Sequence, residues 1–419
     1  MRLPLLAGQR LALVFWIALV VGLAVGSVTR QAIWLLALLG LPLLISGRRC
    51  LWQQGLWRRW VFWWSLFAVP IVLAMPDAVD PERGMRAAIR MLSYLLMGVV
   101  IFRWPLAKSD QSRYVLWSGA LLSLLLVDGM VQFIVGFNVG GEPLYQDIRY
   151  GQRITGFLGI DYGWVIAVLS PFILEAARVA GRSGWFFWVA VPLLLIAVLL
   201  SGSRASALLM LTGWAVYVAL LWARLGFGPA RQFMHPLLAA CVLALTAVFI
   251  DPDLNQRWTD ALGVFAADPA RWDEALSLRP SLWSAALSVF QEHWVNGVGL
   301  RGFGEVAAAD LASVDGLPDK PQGWSPHLAV LEVATNLGVI GLIAYCGFYA
   351  SLVRWIALAP ISTLAPGLSA ALAFFPLGST LPLFSMRVMS VAWLCLAMAL
   401  VLAREQQQQD DEAAVACVG

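Results

Sequence analysis

Residues 185–225 read WFFWVAVPLLLIAVLLSGSRASALLMLTGWAVYVALLWARL and contain two apolar runs on either side of a short turn at 201–204. Each run is close to the roughly 20 mostly apolar residues that a helix needs to cross a bilayer. A helix also satisfies its backbone hydrogen bonds within one segment, which lipid cannot do for it. The stretch therefore predicts two membrane-spanning helices joined by a turn at the membrane surface.

Similar runs recur along the 419 residues, of which 60% are hydrophobic and 13% are charged. Soluble globular chains are about half apolar and about a quarter charged, so this composition indicates a bilayer as the solvent. We predict an all-α polytopic membrane protein with about twelve transmembrane helices, the first being a span and not a cleaved signal peptide. The approximate spans are 11–27, 31–46, 60–75, 87–102, 114–136, 157–176, 184–201, 205–223, 235–250, 327–353, 361–378 and 387–403.

Arginine and lysine residues lie mainly in alternate short loops, such as those that carry Arg48, Arg103, Arg178, Arg224 and Arg354. Because positive short loops stay in the cytoplasm, we place both termini there and expect a multi-pass membrane protein. The chain then divides into helices 1–9 in residues 1–250, a helical periplasmic loop subdomain in 251–326, and helices 10–12 in 327–403. The acidic, Gln-rich residues 404–419 predict a disordered cytoplasmic tail.

Several functional classes are not indicated by the sequence. The net charge of +3 is small and sits in short loops, so nucleic-acid binding is not expected. The sequence has no His and Cys cluster with metal-ligand spacing, and Asp251 and Asp253 follow a span, where a helix cap is the ordinary explanation. None of the five cysteines lies in a predicted external loop, which argues against disulfides. We therefore predict neither a metal nor a cofactor.

Arginines on the predicted external side need a reason, because positive residues favour the cytoplasmic side. Arg204 lies in the turn at 201–204, Arg153 opens the sixth span, and Arg279 and Arg301 lie in the long loop. An arginine in hydrocarbon costs about 2.5–3.5 kcal/mol at a helix centre on insertion scales, so such residues usually face a cavity or a partner. Guanidinium groups that converge on one cavity would grip a diphosphate through bidentate contacts.

Three further arginines, Arg83, Arg86 and Arg90, are three and four residues apart and share one helical face at the outer start of the fourth span. Arginines near helix ends can instead extend to the lipid headgroups. For Arg83 and Arg301 this surface role is the more ordinary interpretation.

Of the three histidines, His327 follows Pro326 where the long loop re-enters the membrane. A neutral imidazole there can take a proton from an acceptor hydroxyl, although a lone histidine at a helix start is often a packing residue. His235 and His293 lie at a cytoplasmic helix start and in an amphipathic loop helix, and both are expected to be structural.

Five short motifs, in this order, resemble those of the O-antigen ligase and polymerase superfamily. They are RITGF at 153–157, SGSR at 201–204, RPSLW at 279–283, NGVG at 296–299, and PH at 326–327 followed by GVIG at 338–341. Two positions depart from the family pattern. Leu328 replaces the asparagine that commonly follows the histidine. The acidic residue that commonly comes just before the first glycine of the last motif is also replaced, and Asn336 lies two positions ahead of Gly338. These departures affect the expected contacts around the site and not the role of His327.

The resemblance implies a GT-C-like glycosyltransferase architecture with a periplasmic active site. The implied donor is undecaprenyl-diphosphate-linked O-antigen and the implied acceptor is the lipid A core oligosaccharide, both presented by membrane lipids, without a metal or other cofactor. His327 would be the catalytic base, and Arg204, Arg279 and Arg153 would bind the diphosphate. The additional candidates for donor binding are Arg86, Arg90 and Arg301.

Two alternatives to the ligase stay open within this superfamily, an O-antigen polymerase and another transferase of lipid-linked oligosaccharides. A transporter of lipid-linked sugars is the alternative from a different class. Transporters place ionisable residues near the midplane and often contain inverted repeats, whereas the polar candidates here cluster at one surface and the sequence has no clear repeat.

Overall fold

The computed structural model describes residues 26–53, 55–103, 108–147, 151–180, 185–265, 269–312, 314, 317 and 321–418. The predicted first span, 11–27, lies outside these residues except for its last two positions. Eight long helices come first: α1 (Gly26–Gln53), α2 (Gly55–Leu73), α3 (Pro81–Arg103), α4 (Lys108–Val135), α5 (Tyr162–Val179), α6 (Trp185–Leu200), α7 (Arg204–Leu225) and α8 (Phe227–Ile250). Four short helices follow, α9 (Pro252–Ala261), α10 (Pro269–Leu276), α11 (Arg279–Glu292) and α12 (Phe303–Val306), and then α13 (Ala329–Leu358), α14 (Leu364–Ala373) and α15 (Met386–Val418).

Within the described residues, seven helical segments are long and apolar enough to cross a membrane. They are Pro81–Arg103, Gln111–Val135, Gly156–Val179, Arg204–Leu225, Phe227–Ile250, Ala329–Leu358 and Met386–Arg404, and three shorter apolar helices, Ile33–Ile45, Phe186–Leu200 and Ile361–Ala373, lie among them. The prediction of a helical, multi-pass membrane protein is confirmed.

The structure differs from the predicted elements in two places besides the span near 361–378. A small antiparallel hairpin, β1 (Tyr145–Asp147) and β2 (Gly151–Arg153), pairs Tyr145 with Arg153, so the fold is not purely α-helical. The last helix continues to Val418, past the predicted end of the twelfth span at 403. The physical reason is local: Ala, Glu and Gln are strong helix formers, and 387–418 contains neither Gly nor Pro.

The predicted span 361–378 ends early, because α14 stops at Ala373 and a non-helical stretch follows up to α15. We call residues 374–385 the re-entrant loop. Pro376 and Pro382 lie in it, and proline lacks the backbone N–H that a continuing helix needs. The loop therefore returns irregular backbone to the end of the bundle, where its carbonyl and amide groups meet other chain segments.

An aromatic cluster in the helical core holds the start of this loop. The ring centroids of Phe67 and Trp393 lie 5.6 Å apart, those of Phe374 and Trp393 also 5.6 Å, and those of Phe348 and Phe374 4.9 Å. Edge-to-face pairs of this kind contribute about 0.5–1.5 kcal/mol beyond their buried area. Helices α2, α13 and α15 thus fix the position at which the re-entrant loop leaves the core.

Helices α11 and α12 and the segment between them have a separate apolar cluster, which includes Leu282, Ala286, Val289, Val298 and Phe303. The backbone N–H of Val79, just before α3, donates to the carbonyl of Val298 at 3.0 Å. The start of α3 therefore contacts the segment between α11 and α12.

Two glycine motifs that are far apart in sequence pack backbone against backbone. Gly338 breaks the regular helix of α13 with φ 61°, and a Cβ there would lie 2.1 Å from the carbonyl oxygen of Val295. A Cβ at Gly297 would lie 2.4 Å from the carbonyl carbon of Asn336. Only glycine combines this backbone conformation with so close an approach, so the segment around Gly297 is clamped to α13.

Candidate functional site

The re-entrant loop is the common partner of two predicted site residues, Arg279 and His327. The Ser379 carbonyl accepts a hydrogen bond from the Arg279 guanidinium at 3.1 Å, and the Thr380 hydroxyl lies 3.2 Å from the Ser206 hydroxyl, in the first turn of α7. The Gly378 carbonyl accepts from the N–H of Ala329 at 3.0 Å, at the start of α13. One short stretch of backbone thus joins α7, α11 and α13.

His327 lies just before α13 in a left-handed backbone conformation, φ 49°. Its N–H donates to the Ser325 hydroxyl at 3.3 Å, and the Trp283 indole N–H donates to the Pro326 carbonyl at 3.0 Å. A non-glycine residue with positive φ is strained and persists only where its surroundings hold it. The Arg279–Trp283 motif therefore fixes the backbone that presents the imidazole.

Burial, the larger cause, and the nearby positive charge of Arg279 together lower the pKa of His327 from 6.5 to about 4. A hydrogen bond between the imidazole and the backbone of Thr380 acts in the opposite direction. The ring is therefore neutral at pH 7, oriented by Thr380, and able to accept a proton.

Arg279 is the first residue of α11, and its guanidinium is largely buried against the re-entrant loop. Burial lowers its pKa, and the positive charge of Arg204 adds to this effect. An arginine nevertheless keeps its proton in proteins. Arg204, Arg279 and His327 thus lie near enough for the charge of each arginine to act on the next group.

Arg204 occupies the first turn of α7, which Ser203 caps by accepting a hydrogen bond from the N–H of Ser206. Its guanidinium donates to the carbonyl of Arg257 at 2.9 Å and to the carbonyl of Ala275 at 2.8 Å. Arg204 therefore ties the turn at 201–204 to the covering helices α9 and α10. These two hydrogen bonds fix the position of the Arg204 guanidinium in the absence of a ligand.

Arg153 lies at the end of the hairpin and pairs with Asp147 at 2.8 Å. It reaches the same turn, since a Cβ at Gly202 would lie 2.7 Å from its Nε and 2.8 Å from an amino nitrogen of Arg257. Arg257 is only 3% exposed and donates to the Gln152 carbonyl at 3.3 Å. Arg153 is thus next to the turn, although its guanidinium is already engaged by a carboxylate.

Sequence reasoning did not select Arg257, yet it lies deepest in this group. The signal was available, because it is an arginine in the predicted external loop, like Arg279. A second omission is Arg387, which opens α15, forms an ion pair with Asp161 and donates to the Leu158 carbonyl at 2.9 Å. Arg387 is the first residue of the predicted span 387–403, so it was not counted among the arginines of the external loops.

A third residue that the sequence did not single out is Glu332, which is 5% exposed in the first turn of α13. Its carboxylate accepts from the backbone N–H groups of Leu383 and Phe384, at 2.6 and 3.2 Å. A buried carboxylate needs such donors. Glu332 therefore fixes the distal end of the re-entrant loop to the helix that follows His327.

Next to the polar groups lies an apolar cavity of about 370 Å³. It is lined by α7 and α14 side chains, such as Leu208 and Leu372, and by the re-entrant loop, including Ser379 and Thr380. The cavity thus joins an apolar wall to the loop residues that hold Arg279 and His327. This arrangement suits an amphiphilic ligand with a charged head and an apolar chain.

Arg86, Arg90 and Arg301 do not join this group. Together with Arg83 they line a separate cavity of about 140 Å³, and the lining of that cavity shares no residue with the apolar one. The arginines predicted to be external therefore fall into two clusters, one around the turn at 201–204 and one at the start of α3.

The acidic residue Asp251 acts as a helix cap. Asp251 accepts a hydrogen bond from the N–H of Leu254 at 2.9 Å and caps α9, as its position before Pro252 predicted. Over the residues that the structure describes, no group of three or more His, Cys, Asp or Glu side chains is placed to hold an ion.

A comparison with protein families finds one match, to the family model described as O-antigen ligase, over residues 189–346. A comparison with curated proteins finds no significant match. The matched range contains Arg204, Arg257, Arg279 and His327, and it extends from α6 into α13. This match agrees with the motif resemblance and supports membership of the chain in the O-antigen ligase superfamily.

Proposed function

We propose that this protein transfers O-antigen polysaccharide from undecaprenyl diphosphate to a sugar hydroxyl of the lipid A core. The superfamily indicates a ligase or polymerase type of glycosyltransferase. The observation that carries the more specific proposal is the neutral, buried His327 beside the positive charge of Arg279. That pair supplies both a proton acceptor and a stabiliser of a leaving anion.

In the proposed reaction, His327 accepts the proton of the acceptor hydroxyl as its oxygen attacks the anomeric carbon of the donor glycan. The bond between that carbon and the diphosphate oxygen breaks on the opposite face, so the anomeric centre inverts. The diphosphate leaves with the electron pair, and Arg204 and Arg279 stabilise its negative charge. Arg153 and Arg257 add positive charge beside the same turn.

Donor binding would also prepare the base. A negative diphosphate near Arg279 offsets the positive charge that lowers the pKa of His327, and a nearby negative charge favours the protonated imidazole. The base would therefore become stronger when the donor is bound. The activated glycosidic bond needs no ATP, and the arginines provide the charge stabilisation that a metal provides in other transferases.

The apolar cavity beside the re-entrant loop supports a polyprenyl donor. Its walls would take part of the lipid chain, while Ser379 and Thr380 mark the boundary at which the diphosphate begins. Ligand cavities of this kind combine an apolar lining with a few placed polar groups.

The proposal includes an inner-membrane protein of about twelve spans with a GT-C-like architecture. Both termini would be cytoplasmic, and the site would face the periplasm under α9–α12. Cysteine-scanning with a membrane-impermeant thiol reagent tests this topology on a variant without native cysteines. Labelling is expected at Ser277→Cys in intact cells; labelling there only after lysis would reverse the orientation.

The reaction is tested with purified protein, lipid-linked glycan and lipid A core. Glycan is expected to appear on the core, in the presence or absence of EDTA, and His327→Ala is expected to abolish transfer while donor binding persists. Longer glycan on the polyprenyl lipid, with none on the core, would identify a polymerase. Full transfer by His327→Ala would refute the catalytic role of the imidazole.

A further inference from the structure

The second arginine cluster lies where three segments of the chain meet. Arg83, Arg86 and Arg90 come from the first turns of α3, Arg301 follows the clamped glycine segment, and Phe384 comes from the re-entrant loop. Among the described residues that line this cavity, none carries a carboxylate. The surface that a ligand would meet is therefore cationic.

Carboxylates pair with two of these guanidinium groups. Arg83 pairs with Asp80 at 2.8 Å and with Glu305 of α12 at 3.5 Å, and all three side chains are partly buried. These two pairs position Arg83 before a ligand binds, which reduces the entropy cost of binding. Arg86 pairs with Glu82 at 3.3 Å on the exposed surface, where an ion pair constrains a side chain little.

Arg301 has a strained backbone, with φ 66°. Its N–H donates to the side-chain carbonyl of Asn336 at 2.9 Å, and the amide group of Asn336 donates to the Glu332 carbonyl at 2.7 Å. A left-handed arginine is costly and persists where the surroundings impose it, often at ligand sites. Asn336, which departs from the family pattern, is the residue that imposes it here.

The size of the cavity favours a small anion. The cavity, of about 140 Å³, has room for one phosphoryl group. Guanidinium forks match the geometry of phosphate oxygens.

The cavity lies within reach of the proposed base. Phe384 lines it, and Thr380, which orients His327, is four residues earlier in the re-entrant loop. Four residues span at most about 14 Å. A ligand anchored in this cavity could therefore extend a hydroxyl to His327 while the donor occupies the Arg204 and Arg279 side.

We propose that this cavity binds a phosphoryl group of the acceptor glycolipid and is not a donor contact. The proposal rests on the proposed transfer to a lipid A core acceptor. It assigns the two arginine clusters to the two substrates: the cluster at the turn 201–204 holds the leaving diphosphate, and the cluster at the start of α3 positions the acceptor.

The test measures binding to the protein in phosphatidylcholine nanodiscs, without turnover. The ligands are lipid A core, intact or treated with phosphatase, and the lipid-linked donor. Arg86→Gln and Arg90→Gln are expected to weaken binding of the intact acceptor by roughly tenfold each, as for a lost charged hydrogen bond. Phosphatase treatment of the acceptor is expected to weaken binding to the unaltered protein and to remove the difference between variants.

Arg354→Gln is the matched control, because it removes one exposed arginine at the far end of α13. It is expected to leave both affinities unchanged. Arg86→Lys keeps the charge and is expected to retain more affinity than Arg86→Gln. Equal thermal stability of all variants would confirm that folding does not cause the change.

Three outcomes would overturn the inference. In the first, the variants lose affinity for the donor and not for the acceptor. In the second, intact and dephosphorylated acceptor bind the unaltered protein equally well. In the third, the difference in affinity between variants disappears when phosphatidylglycerol replaces part of the phosphatidylcholine, which would indicate a site for bulk lipid headgroups. Competition by inorganic phosphate at high concentration would support a phosphoryl site. If the acceptor binds through its phosphate but no glycan is transferred, the proposed function is refuted and the anion site is not. If glycan is transferred and every variant binds the acceptor as tightly as the unaltered protein, only the anion site is refuted.

Discussion

The pKa of His327 is the property that most directly tests the arrangement of the site. Burial and the positive charge of Arg279 lower this pKa from an ordinary 6.5 to about 4, and burial is the larger cause. Arg279→Gln removes the charge and keeps a polar side chain of similar length. We expect the pKa of His327 to rise by about one, toward 5, because a neighbouring charge commonly contributes about this much.

The assay is a pH titration of the histidine ring carbons by NMR, with ¹³C-labelled histidine in detergent micelles. The chain has only three histidines, so His327→Gln identifies the resonance by its loss. Arg279→Lys is the matched control, since it retains a positive charge and should leave the pKa near 4. Arg354→Gln should also have no effect, because that side chain lies at the far end of α13.

Two results would refute the reasoning. If His327 titrates near 6.5 in the unaltered protein, the imidazole is not buried beside Arg279. If Arg279→Gln and Arg279→Lys give the same pKa as the unaltered protein, the charge of Arg279 does not act on the ring. Addition of inorganic pyrophosphate should raise the pKa of His327, and this rise should disappear in Arg204→Ala if Arg204 helps to hold the anion.

Three further predictions concern stability and transfer. Gly338→Ala should lower the free energy of unfolding by about 1–3 kcal/mol, because a Cβ there would lie 2.1 Å from the Val295 carbonyl oxygen. Gly347→Ala is the control in the same helix, since a Cβ there meets open space, and it should not destabilise the protein. Equal melting temperatures for the two variants would contradict this prediction. Arg204→Ala should reduce the rate of glycan transfer by at least about 100-fold. It should also lower the melting temperature, since it removes two hydrogen bonds to α9 and α10. An unchanged transfer rate would show that the arginine is only structural. The folded state should lose stability as the pH falls from about 6.5 to 4, because His327 takes up a proton in the unfolded chain at a higher pH than in the folded one. Thermal melts at several pH values measure this loss, and His327→Gln should make the melting temperature depend less on pH. The same pH dependence in the variant and in the unaltered protein would count against this prediction.

The site residues show how far sequence reasoning extended. Arg204, Arg279 and His327 could be selected because arginines on an external face are costly and the motifs around them occur in a known order. Their grouping is a matter of geometry: the structure brings Arg279 and His327 to one loop and places Arg204 near Arg279. Arg257 and Arg387 carried the same charge signal, but the first lay outside a recognised motif and the second at the edge of a predicted span.

The re-entrant loop was the least predictable element. Pro376 and Pro382 indicated an interruption, yet nothing in the local composition of 374–385 indicated which groups its backbone would bind. Arg279 and Ser379 are 100 residues apart in the chain, and Glu332 and Leu383 are 51 apart. Contacts at such separations depend on how α13, α14 and α15 pack, and the aromatic cluster around Trp393 decides that.

By itself, the sequence of this protein determined that it is a multi-pass helical membrane protein and which polar residues would be costly outside a cavity. Both follow from local properties, the length of apolar runs and the cost of a charge near lipid. Only the tertiary structure decided that the arginines predicted to be external form two clusters and that a proline-interrupted loop contacts two of the predicted site residues, Arg279 and His327. These features depend on non-local packing. Every residue has a backbone carbonyl, so the sequence does not indicate which side chain will donate a hydrogen bond to it.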